Sequence, residues 1–150
     1  MGVFTKLMTN ILKPVIFYKT HLGTTKEYVK WLQSSINADL FLFRQLPKAR
    51  ISKYNLVIIS SGTYMGQMPL VKFLIKIWPQ IKNKTVIVIA IGGVEPNNEA
   101  SIRSYKTIPL EIRNNIKYFK IAGKVGEIKP LGEIKFENLN EILSYIQKLA

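Results

Sequence analysis

The sequence predicts an α/β domain built on an open, doubly wound sheet of five parallel strands with helices on both faces. Three observations lead there. The runs "NLVIIS" at 55–60 and "TVIVIAI" at 85–91 are apolar almost throughout instead of alternating, which marks strands buried on both faces and hence a parallel sheet covered by helices. Between them, "PLVKFLIKIWPQI" sets Leu70, Phe73, Leu74 and Ile77 at helical spacing, so this stretch reads as strand, helix, strand. The same alternation continues on either side, and 150 residues are enough for one such domain with a sizeable core. The expected organisation is one domain over 1–150, with 1–13 as an N-terminal extension.

Taken in order, the first residues, "MGVFTKLMTNILKP", place Val3, Phe4, Leu7, Met8, Ile11 and Leu12 at helical spacing with Lys6 and Lys13 between them. Such an amphipathic helix either packs on the domain or a neighbouring chain, or rests on a membrane surface. Lys6 stands where a myristoylation signal needs serine or threonine, and no small-residue cleavage site follows for a secretory leader. The β-branched and aromatic run "VIFY" at 15–18 reads as the first strand and stops at a polar turn containing Gly23. From Thr25 the positions Tyr28, Val29, Leu32 and Ile36 form the stripe of an amphipathic helix. "DLFLF" at 39–43 reads as a second strand, followed by a polar connection holding Pro47.

After the two central strands, a helical segment runs from Glu99 toward Asn115 with a break at Pro109. "KYFKIAG" at 117–123 is the fifth strand, and residues 124–137, rich in Gly, Lys and Pro, read as a loop or small hairpin. "NLNEILSYIQKLA" closes the chain as a helix whose core face carries Leu139, Ile142, Leu143 and Ile146.

Composition narrows the function classes. Cysteine is absent and His21 is the single histidine, which excludes disulfides, thiol catalysis and multi-histidine metal sites. No window reaches the ~18 apolar residues of a spanning helix, so a cytoplasmic protein is expected, with peripheral membrane contact as the alternative. The net charge of +13 favours anionic partners by long-range attraction. The lysines are nevertheless scattered, without a basic tract or nucleic-acid-binding motif, which argues against specific nucleic-acid binding. No carboxylate pair and no nucleophile with an adjacent base emerges, so catalysis by a protein side chain is not indicated.

In doubly wound sheets ligands bind beyond the carboxyl ends of the strands, where the strand order reverses. The loops that matter are thus those after the first, third and fourth strands. The first contains "YKTHLGTTKEYVKW". A helix N-terminus there presents unpaired N–H groups to an anion, Thr20, Thr24 and Thr25 add hydroxyl donors, and Gly23 lets the backbone bend closely. That is the chemistry of a phosphate cradle; an ordinary threonine N-cap is the alternative. The spacing matches neither a Walker loop nor GxGxxG, so ATP, GTP and NAD are not supported.

Here the residues resemble a family. "VIFYKTHLGTTKEYVKWL" is similar to the first strand, phosphate loop and first helix of flavodoxins, where a Thr/Ser-x-Thr-Gly-x-Thr pattern wraps the phosphate of FMN. "KYNLVIISSGTYMGQMPLVKFLIKIWPQIKNKTVIVIAIGG" resembles the third strand, flavin-binding loop, helix and fourth strand of the flavodoxin-like branch that includes the menaquinone-dependent protoporphyrinogen oxidases, and "IRNNIKYFKIAGKV" matches a later strand.

The resemblance implies strand order 2-1-3-4-5 and FMN as cofactor. It places Thr20, His21, Leu22, Gly23, Thr24 and Thr25 at the phosphate, with Leu22 where the family has a small polar residue. Ser60, Ser61, Gly62, Thr63 and Tyr64 then form the loop beside the flavin ring, with Tyr64 either stacking on it or pointing to water. Gly62 or Gly66 would let a peptide turn toward the flavin N5, and Gly92, Gly93 and Val94, in "GGVEPNNE", would face the pyrimidine edge. Many flavodoxins are acidic whereas this chain is basic, so Lys19 and Lys26 would stabilise the phosphate and an anionic reduced flavin. The implied function is an electron carrier or FMN-dependent oxidoreductase working with a redox partner protein or small-molecule electron acceptor, and on the enzyme side a protoporphyrinogen oxidase at an anionic membrane. A flavin-free binding module of the same fold is the alternative.

Overall fold

The protein is described from a computed structural model, over residues 12–20, 24–63, 67–93, 97–123 and 134–150. Most of the expected extension at 1–13 and most of the glycine-rich stretch after the fifth strand therefore lie outside the described residues.

Five strands form one sheet: β1 (Pro14–Lys19), β2 (Asp39–Leu42), β3 (Leu56–Gly62), β4 (Thr85–Gly92) and β5 (Lys117–Ala122). Their order is β2-β1-β3-β4-β5 and every pairing is parallel. The helices are α1 (Thr24–Ile36), α2 (Pro69–Ile81), α3 (Glu99–Lys106), α4 (Leu110–Arg113) and α5 (Asn140–Leu149), with short 3-10 turns at Phe43–Lys48, Ile51–Lys53 and Phe136–Leu139. Among the described residues no helix is long and apolar enough to cross a membrane.

The period-two geometry of a strand splits each apolar run between two cores. Val15, Phe17, Val57, Ile59, Val86, Val88 and Ala90 pack under α2, α3 and α4, together with Leu70, Phe73, Leu74, Ile77, Ile108 and Ile112. Ile16, Tyr18, Leu56, Ile58, Ile87, Ile89 and Ile91 pack under α1 and α5, against Tyr28, Val29, Leu32, Ile142 and Ile146. Both faces of the central strands are covered, which is why those strands read as unbroken apolar runs.

Local signals end the elements. Asn37 takes φ 53° after α1, the left-handed conformation that asparagine tolerates at a helix end, and Ala38 N–H donates back to the Gln33 carbonyl at 3.2 Å. Pro69 opens α2, where a missing N–H costs nothing. Pro109 separates α3 from α4, as its ring requires.

Two boundaries differ from the sequence reading. β3 continues through Ser61 and Gly62, and β4 through Gly92, because each finds a ladder partner: Ser61 pairs with Ala90, Gly62 with Ile91, and Gly92 with Ala122. Ser60, Ser61, Gly62 and Gly92 are therefore strand residues, and the loops begin after them.

Candidate functional site

β1 is the strand at which the winding reverses: its sequence successor β2 lies on one side of it and β3 on the other. The carboxyl ends of β1, β3 and β4 bring together Lys19 and Thr20, then Ser61, Gly62 and Thr63, then Gly92 and Gly93. α1 starts at Thr24, and Thr24 and Thr25 are both buried in its first turn. Of the sequence-predicted residues, His21, Leu22, Gly23, Tyr64, Gly66 and Val94 lie outside the described residues.

Thr20 carries the most telling atom. Its Oγ1 is buried without a hydrogen-bond partner, the one such side-chain atom among the described residues. A buried hydroxyl without a partner costs roughly 1–3 kcal/mol, and it stands immediately beyond β1, at the entrance to the loop that leads into α1. A hydroxyl donor, two further buried threonines and the positive end of a thirteen-residue helix suit an anionic oxygen that accepts hydrogen bonds. The described part of the loop thus fits a phosphate.

The serines behave differently. Ser60 Oγ donates to the Ile89 carbonyl at 2.9 Å, inside the sheet. Ser61 Oγ accepts from Leu70 N–H at 3.2 Å, capping the start of α2. Both are fully buried and their hydroxyls serve the scaffold, which keeps Ser60 in the strand that the apolar run marked and corrects the reading of Ser61 as a loop residue. Thr63 N–H donates to the Ile91 carbonyl at 2.9 Å, carrying the β3–β4 ladder one step beyond the strand.

Gly92 also has a packing role. A Cβ built there would overlap Thr63 Oγ1 and would come within 3.3 Å of Lys120 Cε and Nζ. At Gly123 a Cβ would meet Ile91 Cγ2 and lie 3.0 Å from Thr24 Cγ2. Only hydrogen fits at either position, so the end of β4 closes tightly on Thr63 and Lys120, and the end of β5 on β4 and the first turn of α1. Tyr28 reinforces that closure: its hydroxyl donates to the Ala122 carbonyl at 2.8 Å and accepts from Asn138 Nδ2 at 2.7 Å. Burial pushes the Tyr28 pKa up, and the bond from Asn138 opposes the shift.

Lys120 was not anticipated. It projects from β5 on the same face as Tyr118, and its Nζ donates to Ser101 Oγ at 3.1 Å. Burial pushes its pKa below that of an ordinary lysine. The period-two alternation of "KYFKIAG" was the available signal, since it puts Lys120 on the face where Tyr118 packs.

A family model for the flavodoxin domain matches residues 15–130. The chain belongs to the flavodoxin domain family. No curated protein matches its sequence. Solved structures of the same fold include a flavodoxin from the domain Archaea, 16% identical over 92% of this chain and 99% of that one, with TM-score 0.61. The Fusobacterium nucleatum flavodoxin bound to flavin mononucleotide is 15% identical over 91% and 98%, with TM-score 0.61. Oxidised flavodoxin 2 from Bacillus cereus is 18% identical over 91% and 99%, with TM-score 0.56. At these identities the likeness establishes the flavodoxin fold, with its five parallel strands in the order 2-1-3-4-5.

Proposed function

We propose that this flavodoxin domain binds FMN and serves as a redox protein. The observation that carries the reading is the partnerless buried Thr20 hydroxyl beside the β1–α1 loop, at the point where a doubly wound sheet receives its ligand. In this reading Thr20, Thr24 and Thr25 donate to the phosphate with help from the N-terminus of α1, while Lys19 and Lys26 add positive charge from the exposed surface. Thr63 and Gly93, at the ends of β3 and β4, flank the ring site, which Tyr64, Gly66 and Val94 would complete. The bound flavin would supply one- and two-electron chemistry, while the residues of the chain bind it, orient it and set its electrostatic surroundings.

The proposal treats 1–150 as one domain with an N-terminal extension, acting on a redox partner protein or a small-molecule acceptor. Two features support the finer reading, a place in the branch with menaquinone-dependent protoporphyrinogen oxidases: the resemblance across 53–93, and the net charge of +13, which suits an anionic membrane surface.

The test is a titration of FMN fluorescence with purified protein, run beside riboflavin, which lacks the phosphate. Saturable quenching of FMN, much weaker for riboflavin and abolished by Thr24→Asp, is expected. Equal affinity for the two ligands would remove the phosphate site, and no quenching by either would favour the flavin-free module.

A further inference from the structure

Next to Thr20, on the face of the sheet covered by α2, lies a cleft of about 630 Å³. Its floor is aromatic. Phe43 and Phe73 lie parallel, 4.1 Å between centroids and 6° between planes, and Phe73 in turn rests 5.3 Å from Phe17. Its rim is cationic, with Lys19 from the end of β1, Arg44 from the turn after β2, and Lys72 and Lys76 from successive turns of α2.

No local ion pairing accounts for these four cations. No acidic residue is among the described residues that line the cleft, and the ion pairs among the described residues, Lys53 with Asp39 and Arg103 with Glu99, lie elsewhere. Lys72 and Lys76 stand four apart on one helix, a spacing at which like charges destabilise the helix. Three separate elements therefore deliver uncompensated charge to one concave site, where an apolar floor strengthens the local potential. The volume falls within the roughly 300–1,000 Å³ of small-molecule sites, which combine an apolar lining with a few polar anchors.

We propose that this cleft binds a small organic polyanion: an aromatic body seated on Phe43 and Phe73, with carboxylate or phosphate groups held by Lys19, Arg44, Lys72 and Lys76. The cleft shares Lys19 and Thr20 with the entrance to the phosphate loop, but its aromatic floor and its other three cations come from the turn after β2 and from α2, so it stands whether or not FMN binds at that loop. If FMN does bind, the cleft becomes the place where an acidic aromatic substrate or electron acceptor is held near it.

The test uses three fluorescent probes: a naphthalenedicarboxylate, naphthyl phosphate, and the neutral dimethyl ester of the dicarboxylate. Each is titrated into the full-length protein with and without saturating FMN. Expected is saturable binding of at least one anion, with the better of the two identifying the preferred group, and affinity for the neutral ester about tenfold lower or less. Arg44→Glu/Lys72→Glu should weaken the anion about tenfold. Lys30→Glu/Lys148→Glu, an equal change of charge on exposed residues of α1 and α5, should leave it unchanged. All four positions are exposed, and thermal melts by circular dichroism verify that both variants fold. Absence of saturable binding overturns the proposal. So does an equal loss in the control variant, which would signify diffuse attraction to a basic protein, and so does displacement of the anion by FMN, which would make the cleft part of the flavin site. If the anion binds with the expected pattern while FMN does not bind at all, the cleft stands and the flavin reading falls.

Discussion

Replacing Thr20 by valine should make the ligand-free protein more stable and its hold on FMN weaker. The opposite signs come from one atom. In the ligand-free fold Thr20 Oγ1 has lost its water and gained no partner, a state that costs roughly 1–3 kcal/mol and that a methyl group of similar size does not incur. Both residues branch at Cβ, so the backbone preference barely changes. A gain of about 1–2 kcal/mol follows, and in a protein of this length each kcal/mol moves Tm by about 2–4 °C. If FMN binds as proposed, the hydroxyl would donate to a charged phosphate oxygen, a bond worth roughly 1.5–3 kcal/mol, so Kd should rise roughly 10- to 150-fold. Urea denaturation without flavin and quenching titrations with FMN measure the two sides. A valine variant less stable than wild type would show that the hydroxyl already has a partner in solution, and an unchanged Kd would remove it from the phosphate site.

Other substitutions probe the neighbouring packing. Gly92→Ala should cost about 1–3 kcal/mol by overpacking against Thr63 Oγ1, and Gly92→Ala/Thr63→Ala should recover part of it; strictly additive losses in thermal melts would count against that contact. Ser61→Ala removes the acceptor for Leu70 N–H and should lower stability by about 1 kcal/mol, whereas an unchanged Tm would mean that α2 needs no side-chain cap. Lys120 titrates below its ordinary value of 10.5 in the folded protein, so in the window just below that value the unfolded chain binds more protons. Its contribution therefore makes stability rise as pH increases toward about 10.5. Lys120→Met should be more stable than wild type at neutral pH, and its advantage should shrink as pH rises; urea midpoints along a pH series that moved in parallel for the two proteins would refute this.

The fold was largely legible because its strongest signals are local. The buried runs of β3 and β4 cannot alternate when both faces are covered, and α2 fell at 69–81, bounded by Pro69 at one end and the last apolar position, Ile81, at the other. Strand ends were less legible because they depend on partners. Ser61, Gly62 and Gly92 carry turn-forming side chains, yet Ala90, Ile91 and Ala122 draw them into the ladder. At the candidate site, the threonine-rich loop after β1 was visible as a chemical pattern. What the pattern could not reveal is that Thr20 Oγ1 is sealed from water, since that burial comes from tertiary packing. The placement of Ser61 in the strand was hidden for the same reason: its hydroxyl satisfies Leu70 N–H across the fold, as that of Ser60 satisfies the Ile89 carbonyl. The cationic cleft was hidden by separation in sequence, because Lys19, Arg44 and Lys72 meet only once the sheet is wound.

Whether the carboxyl ends of β1, β3 and β4 form an FMN site is decided by the visible absorption spectrum of the purified protein after FMN has been added and the excess removed. A retained flavin spectrum at about one FMN per chain, diminished in Thr24→Asp, is expected. A colourless protein from which all added FMN washes away would contradict it.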